Sequence, residues 1–277
     1  MWGRCMEVSL LKENSERFHE SISKNLFDYM ELTNHFILVK LSLMIHDDKV
    51  YNTEIATCVS LNNIALDSID LCNFLKCYHD KNIIFWTFLN EGQTDSLFVN
   101  HDVKVTHQNV GDFVYLQLSK EDDDVYLQHT FNRDFSFIEH LSTNKQWTRD
   151  YLSKKINFPK FINKKDDIKS NDNCPDFVIK DIEMDSGQGI YLFDKDDYLD
   201  SMESLYCEEY IDTNKYLNTY HLVGKEKSFD VTNYEKLNYI DAPKYQLLDQ
   251  KEDIFNRLGV QLSSRYISHY DESNEYK

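Results

Sequence analysis

Three acidic residues that alternate along the chain are the first candidates for chemistry. If Asp181, Glu183 and Asp185 lie on one strand, their carboxylates project from the same face. Carboxylate oxygens suit Mg²⁺, Mn²⁺ or Ca²⁺, so the pattern indicates a metal-dependent hydrolase as one alternative. The pattern also departs from known sites. A calcium loop needs glutamate where Leu192 stands, and a nuclease that pairs Asp176 with Glu-x-Lys needs lysine in place of Asp185.

A concentration of negative charge surrounds these residues. Residues 181–212 contain eleven acidic residues and one lysine, more than half of the chain's formal net charge of −18. A field of this sign attracts basic proteins and repels nucleic acid phosphates. Tyrosines, which are enriched in interface cores, are interleaved with the carboxylates. The segment predicts a recognition surface for a basic partner protein, although a solvated acidic face would explain the same charge.

The recognition surface is predicted on a helix from Asp196 to Tyr210. The acidic residues lie off an apolar stripe that consists of Tyr198, Leu199, Met202, Leu205 and Tyr206. Glu208 and Glu209 would stand at the C-terminal end of this helix, where the macrodipole disfavours negative charge, so recognition explains them better than helix stability. The predicted partner-binding residues are Asp196, Asp197, Asp200, Glu203, Tyr206, Glu208, Glu209 and Tyr210.

Signatures of common enzymes are missing from the sequence. It has seven glycines and contains no G-x-G-x-x-G or G-x-x-x-x-G-K-[ST] loop. The G-x-S-x-G and H-E-x-x-H motifs are missing as well, and Cys72, Cys77 and His79 do not have the spacing of a zinc site. The other histidines are scattered singly. We expect a non-catalytic protein without a metal or cofactor, in which Asn and Asp take most positive φ angles.

The order of elements in the N-terminal half resembles a winged helix-turn-helix over about residues 36–105. An amphipathic helix is predicted within residues 8–32, and the apolar run from Phe36 to Ile45 fits a helix or a buried strand. Two short helices, at 52–61 and 65–79, precede a strand at 83–89.

The second of these helices has the wrong charge for reading DNA. A recognition helix normally presents cations or amides to base edges and phosphates. Here the exposed positions sum to about −1 and are Asp70, Asn73, Lys76, Cys77 and Asp80. We expect this unit to bind protein or to be structural, without direct nucleic acid contact. A winged-helix regulator that associates with DNA is the alternative.

Strand pairs are predicted on both sides of a basic stretch. Residues 113–118 and 125–131 form one hairpin, and residues 177–182 and 190–193 form another. The basic, proline-marked stretch between them predicts a domain boundary.

The predicted architecture is α+β. A helical unit that resembles a winged helix and includes β-hairpins covers residues 1–155, a basic linker covers 156–175, and a smaller acidic α+β unit covers 176–277. The polar start of the chain and the absence of a long apolar run predict no secretory signal and no membrane segment. Six sparse cysteines are expected to be reduced thiols, which indicates the cytoplasm.

These observations favour a non-catalytic interaction protein. Its expected role is that of an inhibitor, immunity or anti-defence protein, whose acidic, tyrosine-rich surface covers the nucleic-acid-binding surface of a basic partner. The oligomeric state is left open by the sequence.

Overall fold

The computed structural model of the chain describes ten segments, which divide into two compact units. The described segments are residues 2–22, 35–56, 82–87, 103–106, 114–121, 124–129, 145–170, 174–180, 190–198 and 205–241. Those within Met1–Phe158 and Thr213–Asp241 belong to unit 1, and those within Pro159–Asp212 belong to unit 2. Among these segments, no helix has both the length and the apolar character needed to cross a lipid bilayer.

The described segments contain both helices and strands in unit 1 and mainly strands in unit 2. Those of unit 1 include the helices α1 (Trp2–Ser21) and α2 (Lys145–Leu152). In chain order the strands are β1 (His35–His46), β2 (Lys49–Ala56), β3 (Asn82–Thr87), β4 (Val103–Thr106), β5 (Val114–Glu121) and β6 (Asp124–His129) in unit 1, β7 (Phe177–Lys180), β8 (Ile190–Phe193) and β9 (Tyr206–Glu209) in unit 2, and β10 (Tyr216–Gly224) and β11 (Ser228–Asp230) in unit 1.

Strand β1 pairs with three other strands of the unit 1 sheet. It pairs antiparallel with β10 on one side, and on its other side it pairs antiparallel with β2 and parallel with β3. The described sheet runs in the order β11-β10-β1-β3-β5-β6-β4. Leu38 and Leu41 are both fully buried although they point to opposite faces of the sheet. The apolar run that fitted a helix or a strand is therefore a strand covered on both faces.

A two-residue turn joins β1 to β2. His46 pairs with Lys49, and the intervening Asp47 and Asp48 have φ angles of 48° and 56°. Positive φ at both central residues gives a turn whose twist matches the flanking strands. Aspartate tolerates this conformation better than most residues other than glycine, as the scarcity of glycine predicted.

Helix α1 packs its apolar residues on the sheet of unit 1. Leu11 and Phe18 are buried with Leu43 of β1, Ile55 of β2 and Leu152 of α2. The helix predicted within residues 8–32 is confirmed as far as Ser21. Residues 23–34 lie outside the described segments.

A pair of buried amides also holds α1 to the sheet. Asn52 of β2 is fully buried, and its Nδ2 donates to Asn14 Oδ1 of α1 at 3.0 Å and to the Asn157 carbonyl at 3.0 Å. Asn14 Nδ2 donates back to Asn52 Oδ1 at 3.2 Å. Each amide satisfies the other inside the core, so both positions need a side chain with a donor and an acceptor.

Two of the helix predictions are wrong where they can be compared with the structure. Residues 52–56, the start of the helix predicted at 52–61, belong to β2, because they pair with β1. In the helix predicted from Asp196 to Tyr210, Asp196 and Asp197 belong to a short 3-10 turn at Lys195–Asp197, and Tyr206–Glu209 is a strand that pairs with β7. Residues 65–79 and 199–204 lie outside the described segments. The winged-helix interpretation is not confirmed.

Both predicted hairpins are confirmed. Strands β5 and β6 pair antiparallel, and so do β7 and β8. The described part of the chain is thus an α+β fold with mainly antiparallel sheets.

The division into units differs from the predicted domains. Residues 159–170 belong to unit 2, where a separate linker was expected. Residues 213–241 belong to unit 1, because β10 pairs with β1 along nearly its whole length. The change in composition along the chain could not predict that β10 pairs with the distant β1.

Replacing Asn52 tests the amide pair. We expect Asn52→Ala to lower the free energy of unfolding by about 1–3 kcal/mol, since it leaves the buried Asn14 amide without its partner. The Asn157 carbonyl loses one hydrogen bond but still accepts from the Asn52 backbone N–H at 2.8 Å. Urea unfolding measures the change. The exposed Asn238 supplies the control, and Asn238→Ala should stay within about 0.5 kcal/mol of wild type. Equal effects of the two substitutions would contradict this account.

Candidate functional site

The predicted acidic surface can be followed through only part of residues 181–212. Of the predicted partner-binding residues, Asp200 and Glu203 lie outside the described segments. So do Asp181, Glu183 and Asp185, the alternative metal ligands. What the structure describes is the surroundings of the 3-10 turn at Lys195–Asp197 and of strand β9.

Glu208 is part of the interior of unit 2. Its side chain is 3% exposed, and its Oε2 lies 2.5 Å from Lys180 Nζ on β7. The hydroxyl of Tyr206, itself a buried residue, donates to Glu208 Oε1 at 2.8 Å. The assignment of Glu208 and Tyr206 to a partner-binding surface is therefore wrong. Strand pairing between β7 and β9 brings these groups together, and a helical pattern could not show it.

The remaining described residues of the predicted surface differ in exposure. The Asp196 carboxylate is fully exposed, with its Oδ1 3.5 Å from Lys165 Nζ. Glu209 is half-buried, and its Oε1 accepts from the backbone N–H of Lys160 at 2.7 Å. Tyr210 is half-buried, and its N–H donates to the Asp176 carbonyl at 3.2 Å. Nothing is described of the Asp197 side chain.

Two lysines form ion pairs with acidic residues of the segment. Lys165, from the predicted linker, pairs with Asp196, and Lys180, from β7, pairs with Glu208. Lys160 contacts Glu209 through its backbone N–H, and its ammonium group lies 3.3 Å from Asp167 Oδ1. Asp176, considered as a nuclease residue, accepts from the backbone N–H of Lys195 at 2.7 Å and so fixes the 3-10 turn. The described carboxylates therefore do not form one continuous outward face.

A second group of polar side chains lies in unit 1 and was not predicted. It consists of Ser15 and His19 on α1, Thr219 and His221 on β10, and Asp230 on β11, and we call it the His–Asp cluster. His19 and His221 are 202 residues apart, so in the sequence each of them is an isolated histidine. The pairing of β10 with β11 places His221 opposite Asp230.

The ring nitrogens and the carboxylate of the cluster lie close together. His221 Nδ1 is 3.2 Å from His19 Nε2 and 3.1 Å from Asp230 Oδ1, and His19 Nε2 is 3.7 Å from Asp230 Oδ1. His221 is fully buried, whereas the His19 and Asp230 side chains are 18% and 31% exposed. These three atoms could serve as ligands of a metal ion.

The environment shifts the titration of two members of the cluster. Burial and the nearby His221 together lower the pKa of His19 to about 4, although Asp230 opposes them. Burial alone would raise the pKa of Asp230. Hydrogen bonds from His221 and Ser15 outweigh burial and hold the pKa of Asp230 below its ordinary value. The cluster therefore contains a neutral imidazole beside an ionised carboxylate at neutral pH.

A cleft of about 370 Å³ also lies in unit 1, a size that fits small-molecule sites. Its floor is apolar and includes Leu11 and Leu217, and its polar lining includes Arg4, Lys215 and Tyr239. The carboxylate that joins these groups is Glu7 of α1.

Glu7 organises the polar side of this cleft. Lys215 Nζ donates to its Oε1 at 2.6 Å, and the Tyr239 hydroxyl donates to its Oε2. Burial would raise the pKa of Glu7, but these hydrogen bonds and the charges of Lys215 and Arg4 outweigh it, so the pKa lies below its ordinary value.

No protein-family model, curated protein or solved structure matches this chain.

The described residues provide three chemically distinct features: exposed carboxylates around the 3-10 turn of unit 2, the cleft organised by Glu7, and the His–Asp cluster. The first can contact a cationic surface, the second can hold a small group, and the third can bind a cation.

Substituting one member of the buried ion pair tests whether Glu208 is internal. Glu208→Ala leaves the Lys180 ammonium without its carboxylate in the interior, so we expect a loss of about 3–5 kcal/mol in the free energy of unfolding. The double substitution Lys180→Met with Glu208→Leu should recover most of that loss. The exposed pair gives the control, because Asp196→Ala should change the stability by less than about 1 kcal/mol. A small effect of Glu208→Ala in urea unfolding would contradict the burial of Glu208 and indicate that its side chain lies at the surface.

The lowered pKa of Glu7 predicts a pH-dependent contribution to stability. The charged form is favoured by folding, so this contribution is complete above the ordinary value of 4.5 and is lost as the pH falls through the lower folded-state pKa. We expect Glu7→Gln to cost about 0.5–1.5 kcal/mol at neutral pH and progressively less in acid. Urea unfolding across this range measures both, with the exposed Glu16→Gln as control. A cost that is independent of pH would contradict the assignment.

Proposed function

We propose that this chain is a non-catalytic binding protein that recognises a basic partner protein. The observation that carries the proposal is the formal net charge of −18, which corresponds to a sequence pI of about 4.9. A field of this sign and size accelerates association with a cationic surface and repels competing nucleic acid. A partner that binds nucleic acid presents such a surface, so the proposed role is inhibition of that partner.

The exposed carboxylates of unit 2 support a location for the contact. Asp166, Asp194, Asp196 and Asp212 are all exposed. Asp196 and Lys165 form an exposed pair, and such pairs are worth about 0–1 kcal/mol, so a cationic partner can compete for the carboxylate. Glu208 is excluded from the contact, because its buried partner is much harder to replace.

Two charge-reversal variants of the full chain test the proposal. One carries Asp194→Lys and Asp196→Lys in unit 2, and the control carries Glu13→Lys and Glu16→Lys on the exposed side of α1. Both change the net charge by the same amount. If unit 2 makes the contact, the first variant should bind the partner about 10–100-fold more weakly, and the control should retain most of its affinity.

The partner is obtained by affinity capture on the wild-type chain from nuclease-treated lysate, with elution along a salt gradient. We expect a basic protein that elutes with salt, is not retained by the unit 2 variant, and binds the purified chain directly. Recovery of no basic protein, or equal affinity of both variants, would reject the proposal.

A further inference from the structure

Three elements of unit 1 direct polar side chains to one point. Ser15 and His19 are four residues apart on α1 and so lie on the same face of the helix. Thr219 and His221 are two residues apart on β10 and point to the same face of the sheet. Asp230 is the register partner of His221 on β11. The backbone geometry of a helix and two paired strands thus fixes the His–Asp cluster.

The spacing of its three donor atoms matches a metal coordination sphere. The distances between His19 Nε2, His221 Nδ1 and Asp230 Oδ1 are 3.2, 3.1 and 3.7 Å. Ligand atoms on a tetrahedral zinc ion, with bonds of about 2.0–2.1 Å, lie roughly 3.3–3.4 Å apart. We propose that His19, His221 and Asp230 bind one divalent transition-metal ion of the zinc type.

Hydrogen bonds alone serve this arrangement less well than a cation. His221 Nδ1 lies within 3.3 Å of Ser15 Oγ, His19 Nε2 and Asp230 Oδ1, but it can carry only one proton. That proton cannot point at all three neighbours at once. A metal ion at the centre of the three donor atoms accepts a lone pair from each of them, and this relieves the crowding of acceptors.

The neighbours of His221 suit its role as a ligand. Thr219 Oγ1 is 2.9 Å from Nε2 and can accept the Nε2 proton, which leaves the Nδ1 lone pair for the metal. The Ser15 hydroxyl donates to Asp230 Oδ1 and orients the carboxylate. The ring of Phe18 packs edge-on against His221 at 5.4 Å between centroids and gives the site an apolar wall.

The donor set favours zinc over magnesium or calcium. Two imidazole nitrogens and one carboxylate oxygen suit zinc, whereas magnesium and calcium take oxygen ligands. The partial exposure of His19 and Asp230 opens the site to solvent on one side. Three protein ligands leave the fourth tetrahedral position to water or to a small ligand. Because the ligands come from α1, β10 and β11, the metal also ties the helix to the sheet.

Cobalt titration of the full chain, after treatment with a chelator and dialysis, tests the proposal. Co²⁺ reports tetrahedral nitrogen and oxygen coordination through its visible absorption, and Zn²⁺ should displace it. We expect one ion per chain and a rise in the melting temperature with zinc. Asp230→Asn and His19→Gln should each weaken binding about 100-fold or more, and Thr219→Val about 10–100-fold, as removal of an outer partner does.

Control variants separate this site from other metal ligands in the chain. His46→Gln replaces a histidine beside Asp47, away from the cluster, and should leave the affinity unchanged. Far-UV circular dichroism of each metal-free variant checks that it folds. If His19→Gln does not fold, the metal affinities of Asp230→Asn and Thr219→Val decide whether the cluster binds the ion. Absence of stoichiometric binding, a thiolate-to-cobalt charge-transfer band, or equal affinity of wild type and cluster variants would each overturn the assignment.

Discussion

The pairing of β1 with β10 is the interaction on which unit 1 depends. It extends from Phe36 opposite Gly224 to Met44 opposite Tyr216, and it joins parts of the chain that are far apart in sequence. β1 contributes buried side chains to both faces of the sheet, so its hydrogen bonds are protected from water. The same pairing carries His221 to α1 and Lys215 to Glu7. The cluster and the cleft therefore exist only because these two strands meet.

Charge acts in two different ways in this protein. In unit 2 the Lys180–Glu208 pair is desolvated and fixed between two strands, so its charges are internal and specify how β7 and β9 lie together. The carboxylate of Asp196 is in water, and its attraction to Lys165 is screened. Net charge counts these groups equally, but only exposed carboxylates can contribute to the field that a partner meets.

Local pattern predicted the elements whose partners are close in sequence. The two hairpins were correct because alternation and turn residues specify both strands within a short stretch. The helix expected from Asp196 to Tyr210 failed over its last part, because Leu205 fits two patterns: helical spacing with Met202 and strand alternation with Cys207. Pairing with β7 decided between them. The His–Asp cluster could not be predicted at all, since its ligands share no segment and only the register of β10 with β11 unites them.

The discontinuity of unit 1 has a consequence for synthesis on the ribosome. All of residues 159–212 must emerge before β10 can reach β1, so the edge of β1 that faces β10 has no native partner during that interval. An exposed strand edge with apolar side chains is a template for pairing with other chains. Non-local pairing of this kind also slows folding, because a long loop must close first. Slow closure of this loop therefore lengthens the time during which the nascent chain can aggregate through the exposed edge of β1.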